Sequence, residues 1–221
     1  MSHIAVVIMT KLPYPGQVKT RLCPPLTPVQ AAALSRAFIF DKLTQVRALT
    51  AIRPALAYAP ASGEDFFADI APEFTLVAQQ GAGLGERLLH VLEYFFSLGD
   101  TGVLLTDSDT PHLPPACLQQ AVALLATPTV DVVLGPSDDG GYYCIGVHAL
   151  HHELFLDMPW STSAVLAETV QRAAVLGLRV AQLPTCFDID TPDDLMRLRT
   201  TLAQIPGPEP QHTRHFLREH L

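Results

Sequence analysis

The sequence is poor in basic residues, with 14 lysines and arginines against 22 aspartates and glutamates, and its formal net charge is -8. Proteins that bind nucleic acid broadly need a basic surface that displaces counterions from the phosphates. We therefore expect no nucleic-acid partner. The few basic residues are expected to act locally.

Cysteine and long apolar runs are scarce as well. The four cysteines lie far apart without a C-x-x-C pair, which excludes the usual zinc spacing and indicates a reducing compartment. The N-terminal apolar run, residues 4–9, is too short for a secretory signal or a membrane span. We therefore predict a cytoplasmic protein without a membrane span, whose hydrophobic fraction of 48% suffices for a core.

Alternating apolar runs and amphipathic segments predict an α/β fold. The predicted strands are residues 4–9, 55–59, 75–79, 102–106, 130–135, 142–147 and 178–183. The predicted helices are residues 28–49, 64–70, 84–96, 115–126, 161–176 and 192–203. This order favours a mostly parallel sheet covered by helices. We expect one domain over residues 1–204, followed by a tail, 205–221, that is loosely held or packs on a partner.

Ligands of such sheets bind outside the carboxyl ends of the strands. The loop after the first strand holds three of the 14 basic residues, Lys11, Lys19 and Arg21. These cations can neutralise phosphate oxygens, and Gly16 allows a close backbone approach. We therefore interpret the loop as a phosphate-binding segment, with a solvated basic loop as the alternative.

Carboxylates follow two other strands. Asp107 and Asp109 end the strand at residues 102–106, and Asp188 and Asp190 follow the last strand. Carboxylate oxygens are the ligands of Mg²⁺ or Mn²⁺ in sites that also bind substrate phosphates. The alternative for the first pair is a turn or helix cap. The second pair precedes the natural helix cap at Thr191, so capping leaves it unexplained.

Two glycine-rich or aromatic segments complete the candidate site. Residues 135–143 form either a plain hairpin turn or a loop that closes on a substrate. Trp160 offers a stacking surface, and Ser161 can cap the helix predicted to begin there. The candidate acceptor-binding residues are Asp139, Gly140, Gly141, Tyr142, Trp160, Ser161 and Thr162.

Four motifs carry a resemblance to a known family. They are Lys11-x-Pro13-x-Pro15-Gly16-x-x-Lys19-Thr20-Arg21-Leu22, Ser108-Asp109-Thr110-Pro111, Asp139-Gly140-Gly141-Tyr142-Tyr143 and Asp188-Ile189-Asp190-Thr191-Pro192. In this order they resemble an uncharacterised bacterial group of glycosyltransferase-A-like proteins. That group is similar to phospholactate guanylyltransferase and, more distantly, to molybdenum-cofactor guanylyltransferases.

The resemblance implies a nucleotide-diphospho-sugar transferase (GT-A) fold, a three-layer Rossmann-like sandwich with a mixed central sheet and an inserted antiparallel piece. It implies that Lys19 and Arg21 face the phosphates and that Asp109, with Asp188 or Asp190, holds the metal. We therefore predict Lys19, Arg21 and Asp109 as catalytic residues and Asp109, Asp188 and Asp190 as the candidate metal ligands. The resemblance also implies the nucleotide-binding residues Lys11, Gly16, Lys19, Thr20, Arg21, Gly83, Gly85, Glu86 and Arg87, the last four near the nucleobase. Asp107 stands where the family usually has glycine, which leaves its role open.

These features predict a transferase that uses Mg²⁺ or Mn²⁺ and a nucleotide or nucleotide sugar plus a small-molecule acceptor. Nucleotidyl transfer from a nucleoside triphosphate to a small phosphorylated acceptor is favoured, because three cations in one loop exceed what a diphosphate leaving group needs. The alternatives are glycosyl transfer from a nucleotide sugar and a non-catalytic nucleotide-binding regulatory module. A homodimer is left open.

Overall fold

The computed structural model describes residues 4–221, which contain a seven-stranded sheet in the order β3-β2-β1-β4-β6-β5-β7. The strands are β1 (Ile4–Lys11), β2 (Ile52–Ala59), β3 (Thr75–Ala78), β4 (Gly102–Thr106), β5 (Val132–Pro136), β6 (Tyr142–Val147) and β7 (Val180–Gln182). The helices are α1 (Pro28–Arg47), α2 (Glu64–Ile70), α3 (Leu84–Ser97), α4 (Pro115–Leu125), α5 (Val165–Val175), α6 (Pro192–Gln204) and α7 (Gln211–His220). Short 3₁₀ helices span Thr20–Leu22, Ala61–Gly63 and His152–Leu154.

The sheet is mixed and mostly parallel, as predicted. The β1 strand pairs in parallel with β2 and β4, whereas β6 runs antiparallel to both of its neighbours, β4 and β5. A short connection between β5 and β6 permits only a hairpin, so β6 is the reversed strand. It is the antiparallel piece that the family resemblance implied.

Helices cover both faces of the sheet and create three layers. One core cluster packs α1, α2 and α4 against one face, and a second packs α3 and α5 against the other. The strands β1 and β4 are buried on both faces, which explains their continuous apolar sequence. Their carboxyl ends place the loops after β1 and β4 side by side.

Two predicted helix caps agree with the structure, and one does not. The Thr27 side chain caps α1 in a capping box with Gln30, and Thr191 caps α6 in a box with Asp194. The prediction that Ser161 caps a helix is wrong. Ser161 has a φ of 64°, and α5 begins at Val165 with no side-chain cap. The left-handed turn at Ser161 delays the helix by four residues.

The tail, expected to be loosely held or to pack on a partner, instead forms α7 at Gln211–His220 and packs against α1 of the same chain. Asp41 of α1 accepts hydrogen bonds from the His212 and Thr213 backbone N–H groups at 2.9 and 2.8 Å, and another from the Thr213 hydroxyl at 2.6 Å. Phe216 and Leu217 enter a third core cluster with α1 and α6. The contact was not predicted because Asp41, which binds the start of α7, lies in α1, far from α7 in the sequence.

No helix within residues 4–221 is both long and apolar enough to cross a bilayer.

Candidate functional site

Two adjoining cavities open at the carboxyl edge of the sheet. The first compartment, about 530 Å³, is bordered by the loop after β1 and by the start of α3. The second compartment, about 540 Å³, extends under β4, β6 and the segment before α5. Both are lined by Met9, Arg21, Leu84, Ser161 and Asp190. One bound molecule in each would therefore meet at this shared wall.

Lys19 lies at the centre of the site. Its ammonium is 3.0 Å from Asp109 Oδ2 and 2.9 Å from Asp190 Oδ1, and only 6% of its side chain is exposed. Burial lowers the pKa of Lys19, but the two carboxylates outweigh burial and raise it above the ordinary lysine value. Lys19 is therefore a permanently charged group that joins the loops after β1, β4 and β7.

Arg21 stands at the mouth of the same site. Its Nη1 atom lies 3.6 Å from Asp190 Oδ2, and 69% of its side chain is exposed. Nearby, the Thr10 and Ser108 hydroxyls are 3.2 Å apart, and Ile189 N–H donates to the Asp109 backbone carbonyl at 3.3 Å. The loop ends are thus connected directly, which fixes the positions of the charged groups.

A buried lysine that sequence reasoning missed supports the loop after β4. Lys42 of α1 is fully buried, and its ammonium donates to Thr110 Oγ1 at 3.0 Å and to the Thr110 carbonyl at 3.3 Å. The same ammonium lies 3.7 Å from Asp107 Oδ1. Asp107, whose role the sequence left open, is therefore the counter-charge of Lys42. The Thr110 hydroxyl also donates to Asp107 at 2.7 Å.

Among the ion pairs of residues 4–221, Asp188 has no such cation. It accepts a hydrogen bond from the Ser137 hydroxyl at 2.9 Å. Burial raises the pKa of Asp188 to about 8, and repulsion from Asp107, opposed by the Ser137 hydrogen bond, is the next contribution. Asp109 and Asp139 add further repulsion. The group is a carboxyl whose negative charge the surrounding protein does not balance.

This carboxylate set fits a divalent cation that also binds phosphate. No three histidine, cysteine, aspartate or glutamate side chains within residues 4–221 are arranged to hold a metal ion by themselves. Magnesium, however, is commonly held by one or two carboxylates plus substrate phosphates. A cation there would relieve the repulsion at Asp188, so the donor chemistry suits Mg²⁺ or Mn²⁺ once a nucleotide supplies the other ligands.

The first compartment gathers all four predicted nucleotide-binding cations but not the predicted glycines. Lys11, Lys19, Thr20, Arg21 and Arg87 line it. Gly16, Gly83, Gly85 and Glu86 do not line it. A Cβ at Gly85 would clash with the Phe155 carbonyl oxygen, and Glu86 Oε2 accepts a hydrogen bond from Ala82 N–H at 2.6 Å.

Close packing of α3 accounts for Gly85, and the hydrogen bond to the turn before α3 accounts for Glu86. Gln79 and Ser108 also line the first compartment, and the sequence analysis gave neither of them a role in the site. Gln79 follows β3, so the rule that ligands bind beyond strand ends was the available signal.

The second compartment contains nearly the whole predicted acceptor set. Its lining includes Asp139, Gly141, Tyr142, Trp160, Ser161 and Thr162 but not Gly140. Residues 137–141 make the hairpin turn, in which Gly140 has a φ of 87° and Gly141 N–H donates to Asp139 Oδ1 at 2.9 Å. The Tyr142 and Trp160 rings meet edge to face, 6.3 Å apart. The hairpin and the cavity wall are therefore the same segment.

A family model described as "Uncharacterized protein conserved in bacteria (DUF2064)" matches residues 42–162, more than half of the chain. A phosphoenolpyruvate guanylyltransferase of Conexibacter woesei is 29% identical over 209 residues, which cover 91% of this chain and 90% of that relative. The matched family segment contains the loops after β4 and β5.

Solved structures share the whole fold. A protein of Desulfovibrio desulfuricans G20 with the provisional name nucleotide-diphospho-sugar transferase is 33% identical, with a TM-score of 0.89 over 99% of this chain and 95% of that one. A cytidylyltransferase from Leptospira borgpetersenii is 12% identical, with a TM-score of 0.60 over 94% of this chain and 89% of that one. The predicted nucleotide-diphospho-sugar transferase fold is confirmed.

Proposed function

The chain belongs to the DUF2064 family and is a transferase of the nucleotide-diphospho-sugar transferase kind; from this premise we propose that it transfers a nucleotidyl group from a nucleoside triphosphate to a small acceptor. The observation that carries the proposal is Lys19, which lines the first compartment and is held between Asp109 and Asp190, a residue of the shared wall. A buried cation beside the shared wall suits a reaction in which phosphate charge develops between two bound molecules.

The first compartment is assigned to the triphosphate. Lys11, Lys19, Arg21 and Arg87 line it, and together they offset several phosphate charges. Gln79 and Arg87 lie on its wall near the start of α3, where we place the base. Guanosine triphosphate is the first candidate donor, because the relative from Conexibacter woesei, 29% identical over 91% of this chain, is a guanylyltransferase.

The proposed metal ligands are Asp109 and Asp188, with Asp190 serving mainly to hold Lys19 and Arg21. This division follows from the ion pairs: Asp190 faces two cations, whereas Asp188 faces none among the described ion pairs. A bound Mg²⁺ or Mn²⁺ would supply charge neutralisation on the phosphates. With Asp109 engaged by the metal, Lys19 would lose one partner and could turn a hydrogen bond toward phosphate.

The step itself is an in-line displacement. An acceptor oxygen in the second compartment attacks the α-phosphorus, and a new phosphorus–oxygen bond forms. The bond from the α-phosphorus to the bridging oxygen breaks, and pyrophosphate leaves with the electron pair. Lys19 and Arg21 stabilise the charge that builds on these oxygens, and the chain needs no covalent nucleophile of its own.

The test is a binding screen by thermal unfolding of the intact protein. We expect GTP with Mg²⁺ or Mn²⁺ to raise the melting temperature, and EDTA to abolish the rise. Asp109→Asn should remove the metal-dependent part of the rise in melting temperature. Asp69→Asn, at an exposed position of α2 outside both compartments, should leave that rise unchanged. A response to a nucleotide sugar but to no triphosphate would instead favour glycosyl transfer. If GTP raises the melting temperature equally with and without metal, the assignment of Asp109 and Asp188 as metal ligands is contradicted.

A further inference from the structure

A side cavity of about 360 Å³ continues from the first compartment near the start of α3. Lys11, Gln79 and Arg87 line both the side cavity and the first compartment. Part of the side cavity is apolar, with Val18 from the loop after β1 and Pro60 from the segment after β2 on its wall. The base that we place near Gln79 and Arg87 therefore has a partly apolar cavity to enter.

Both hydrogens of the Gln79 side-chain amide are already engaged. Its Nε2 atom donates to the Thr10 carbonyl of β1 at 3.0 Å and to the Ala57 carbonyl of β2 at 2.8 Å. The reverse orientation of the amide would set its oxygen against two carbonyl oxygens, so these contacts fix which end of the amide is nitrogen. An amide nitrogen carries two hydrogens, and Gln79 therefore has no side-chain donor left for a ligand.

The Gln79 Oε1 atom is the free end of this amide. Among the hydrogen bonds within residues 4–221, none has Gln79 Oε1 as its acceptor. The atom is not one of the buried polar atoms without a partner, so it is open to solvent in the cavities that Gln79 lines. Gln79 therefore presents a fixed acceptor to a ligand, and the N–H groups of a base are suitable partners.

Arg87 provides donors on the same wall. Its Nε atom donates to the Gly81 carbonyl at 3.1 Å, which holds one edge of the guanidinium. Within residues 4–221, its two terminal nitrogens have no described hydrogen-bond partner. Arginine N–H groups pair readily with the carbonyl oxygen and the ring nitrogen of guanine. The wall thus offers a base both donors and an acceptor.

Guanine matches this pair of side chains, and adenine opposes it. Guanine has an accepting carbonyl oxygen next to two donors, its N1–H group and its amino group. Adenine reverses this order, because a donating amino group stands next to an accepting N1 atom. In the position that suits guanine, adenine would turn its amino group toward the Arg87 donors and its N1 atom toward Gln79 Oε1. Both contacts would leave polar groups unpaired, which is how a polar site rejects the wrong ligand.

We propose that Gln79 is the residue that selects guanine in the donor nucleotide. Its Oε1 atom accepts hydrogen bonds from the N1–H and amino groups of the base, while Arg87 donates to the carbonyl oxygen. This inference rests on the proposed function and deepens it, because it assigns the choice of base to a residue outside the predicted nucleotide-binding set.

The test compares nucleotides by calorimetric titration of the intact protein with Mg²⁺ present. On the natural chain, GTP is expected to bind about 10-fold or more tightly than ATP, because adenine leaves the polar groups of the wall unpaired. A second analogue, 1-methylguanosine triphosphate, lacks the N1–H donor and should bind about 5-fold or more weakly than GTP. If either analogue binds as tightly as GTP, the assignment of Gln79 is overturned.

Two adjacent glutamines give matched variants. Gln79 lines the first compartment and the side cavity, whereas Gln80 is exposed and lines neither of them. Gln79→Met removes the amide oxygen and should reduce the preference for GTP over ATP about 5-fold or more. Gln80→Met should leave that preference unchanged. If the two variants show the same preference, Gln79 does not select the base.

Tripolyphosphate, which has no base, separates this inference from the proposed function. Both variants should bind tripolyphosphate as the natural chain does, and loss of that binding in Gln79→Met would mean that Gln79 supports the compartment rather than selects the base. If the natural chain binds tripolyphosphate but does not prefer GTP to ATP, only the base assignment is overturned. If it binds neither tripolyphosphate nor any nucleoside triphosphate, the proposed donor site is contradicted, and the base assignment is overturned with it.

Discussion

Lys19 donates a 2.9 Å hydrogen bond to Asp190 across 171 positions of the chain. The bond joins the loop after β1 to the segment after β7, which are the first and last of the four motif-bearing segments. It also places the cation of the predicted phosphate loop directly on a carboxylate predicted to bind metal. The sequence assigned these two residues to separate roles, and the structure makes them partners.

Replacing Lys19 should weaken nucleotide binding more than it weakens the fold. Lys19→Met removes a charge-assisted hydrogen-bond donor worth about 1.5–3 kcal/mol, so the dissociation constant of GTP with Mg²⁺ should rise roughly 10- to 100-fold. The two aspartates left behind are 38% and 47% exposed, which lets water solvate them. Calorimetric titration of GTP measures the effect.

The control for this prediction is Arg218→Met, which removes one positive charge from an exposed position of α7. GTP affinity should stay within a factor of about 2, because charges separated by more than a Debye length, about 8–10 Å, are screened. If Lys19→Met binds GTP as the control does, Lys19 does not face the phosphates.

Asp188 should make stability depend on pH in the absence of metal. Its folded pKa of about 8 exceeds the ordinary value of 3.8 because the side chain is buried beside other carboxylates. Between these two pKa values the folded state keeps a proton that the unfolded state releases, so stability declines as the pH rises from about 3.8 to about 8 and is constant above that. Asp188→Asn should remove the decline.

The free energy of unfolding is measured with urea, in the presence of EDTA, at pH 5 and pH 8.5. The free energy of unfolding of Asp188→Asn, relative to the natural chain, should increase between these pH values by on the order of 1 kcal/mol or more. Addition of Mg²⁺ and GTP at pH 8.5 should stabilise the natural chain and not the variant. A constant difference across the pH range would show that Asp188 is an ordinary ionised carboxylate.

The fold was predictable because its strands are continuous apolar runs. The predicted bounds for β4, β6 and α2 match the structure to the residue, and the acidic or glycine-rich segments lie at strand ends as expected. Parallel strands buried on both faces leave a strong signal in any single sequence. The placement of Asp109 and Lys19 at one edge follows from that order alone.

Long-range polar contacts were not predictable in the same way. Lys42 lies on a helix whose pattern does not reveal that its ammonium meets Thr110, 68 positions away. Helix α7 is mostly polar, and its start is fixed by Asp41, 172 positions from Thr213. Such partners depend on which helices pack together, and the local sequence does not encode that choice.

Lys42 should be essential for the stability of the loop that carries Asp109. Lys42→Met leaves Asp107, whose side chain is 23% exposed, with the Thr110 hydroxyl as its described side-chain partner. Removal of one partner of a fully buried pair costs about 3–5 kcal/mol, so we expect a loss of about 2–3 kcal/mol for this partly exposed pair. The double variant Lys42→Met/Asp107→Asn should recover part of this loss, because the unpaired charge is gone.

Chemical unfolding of the single and double variants measures the cost. Arg47→Met, on the same helix, is the control: its ion pair with Glu73 is 41% and 48% exposed, and such pairs contribute about 0–1 kcal/mol. If the double variant is no more stable than Lys42→Met alone, the penalty does not come from the charge of Asp107.

The attachment of α7 should depend on a carboxylate from another helix. Asp41 occupies the position of a helix cap for α7, since it accepts from two backbone N–H groups and the hydroxyl at the helix start. Asp41→Ala leaves these donors without a partner, and each buried donor left unsatisfied costs about 1–3 kcal/mol. We expect a total loss of about 2–4 kcal/mol in the free energy of unfolding.

Glu219→Ala tests whether any change in α7 has this effect. Glu219 makes an exposed pair with His215 on the same helix, so its removal should cost less than about 1 kcal/mol. Hydrogen exchange adds a local measure, because loss of the Asp41 cap should speed exchange in α7 before the sheet is affected. Equal exchange in the two variants would mean that Phe216 and Leu217, rather than Asp41, hold the helix on α1.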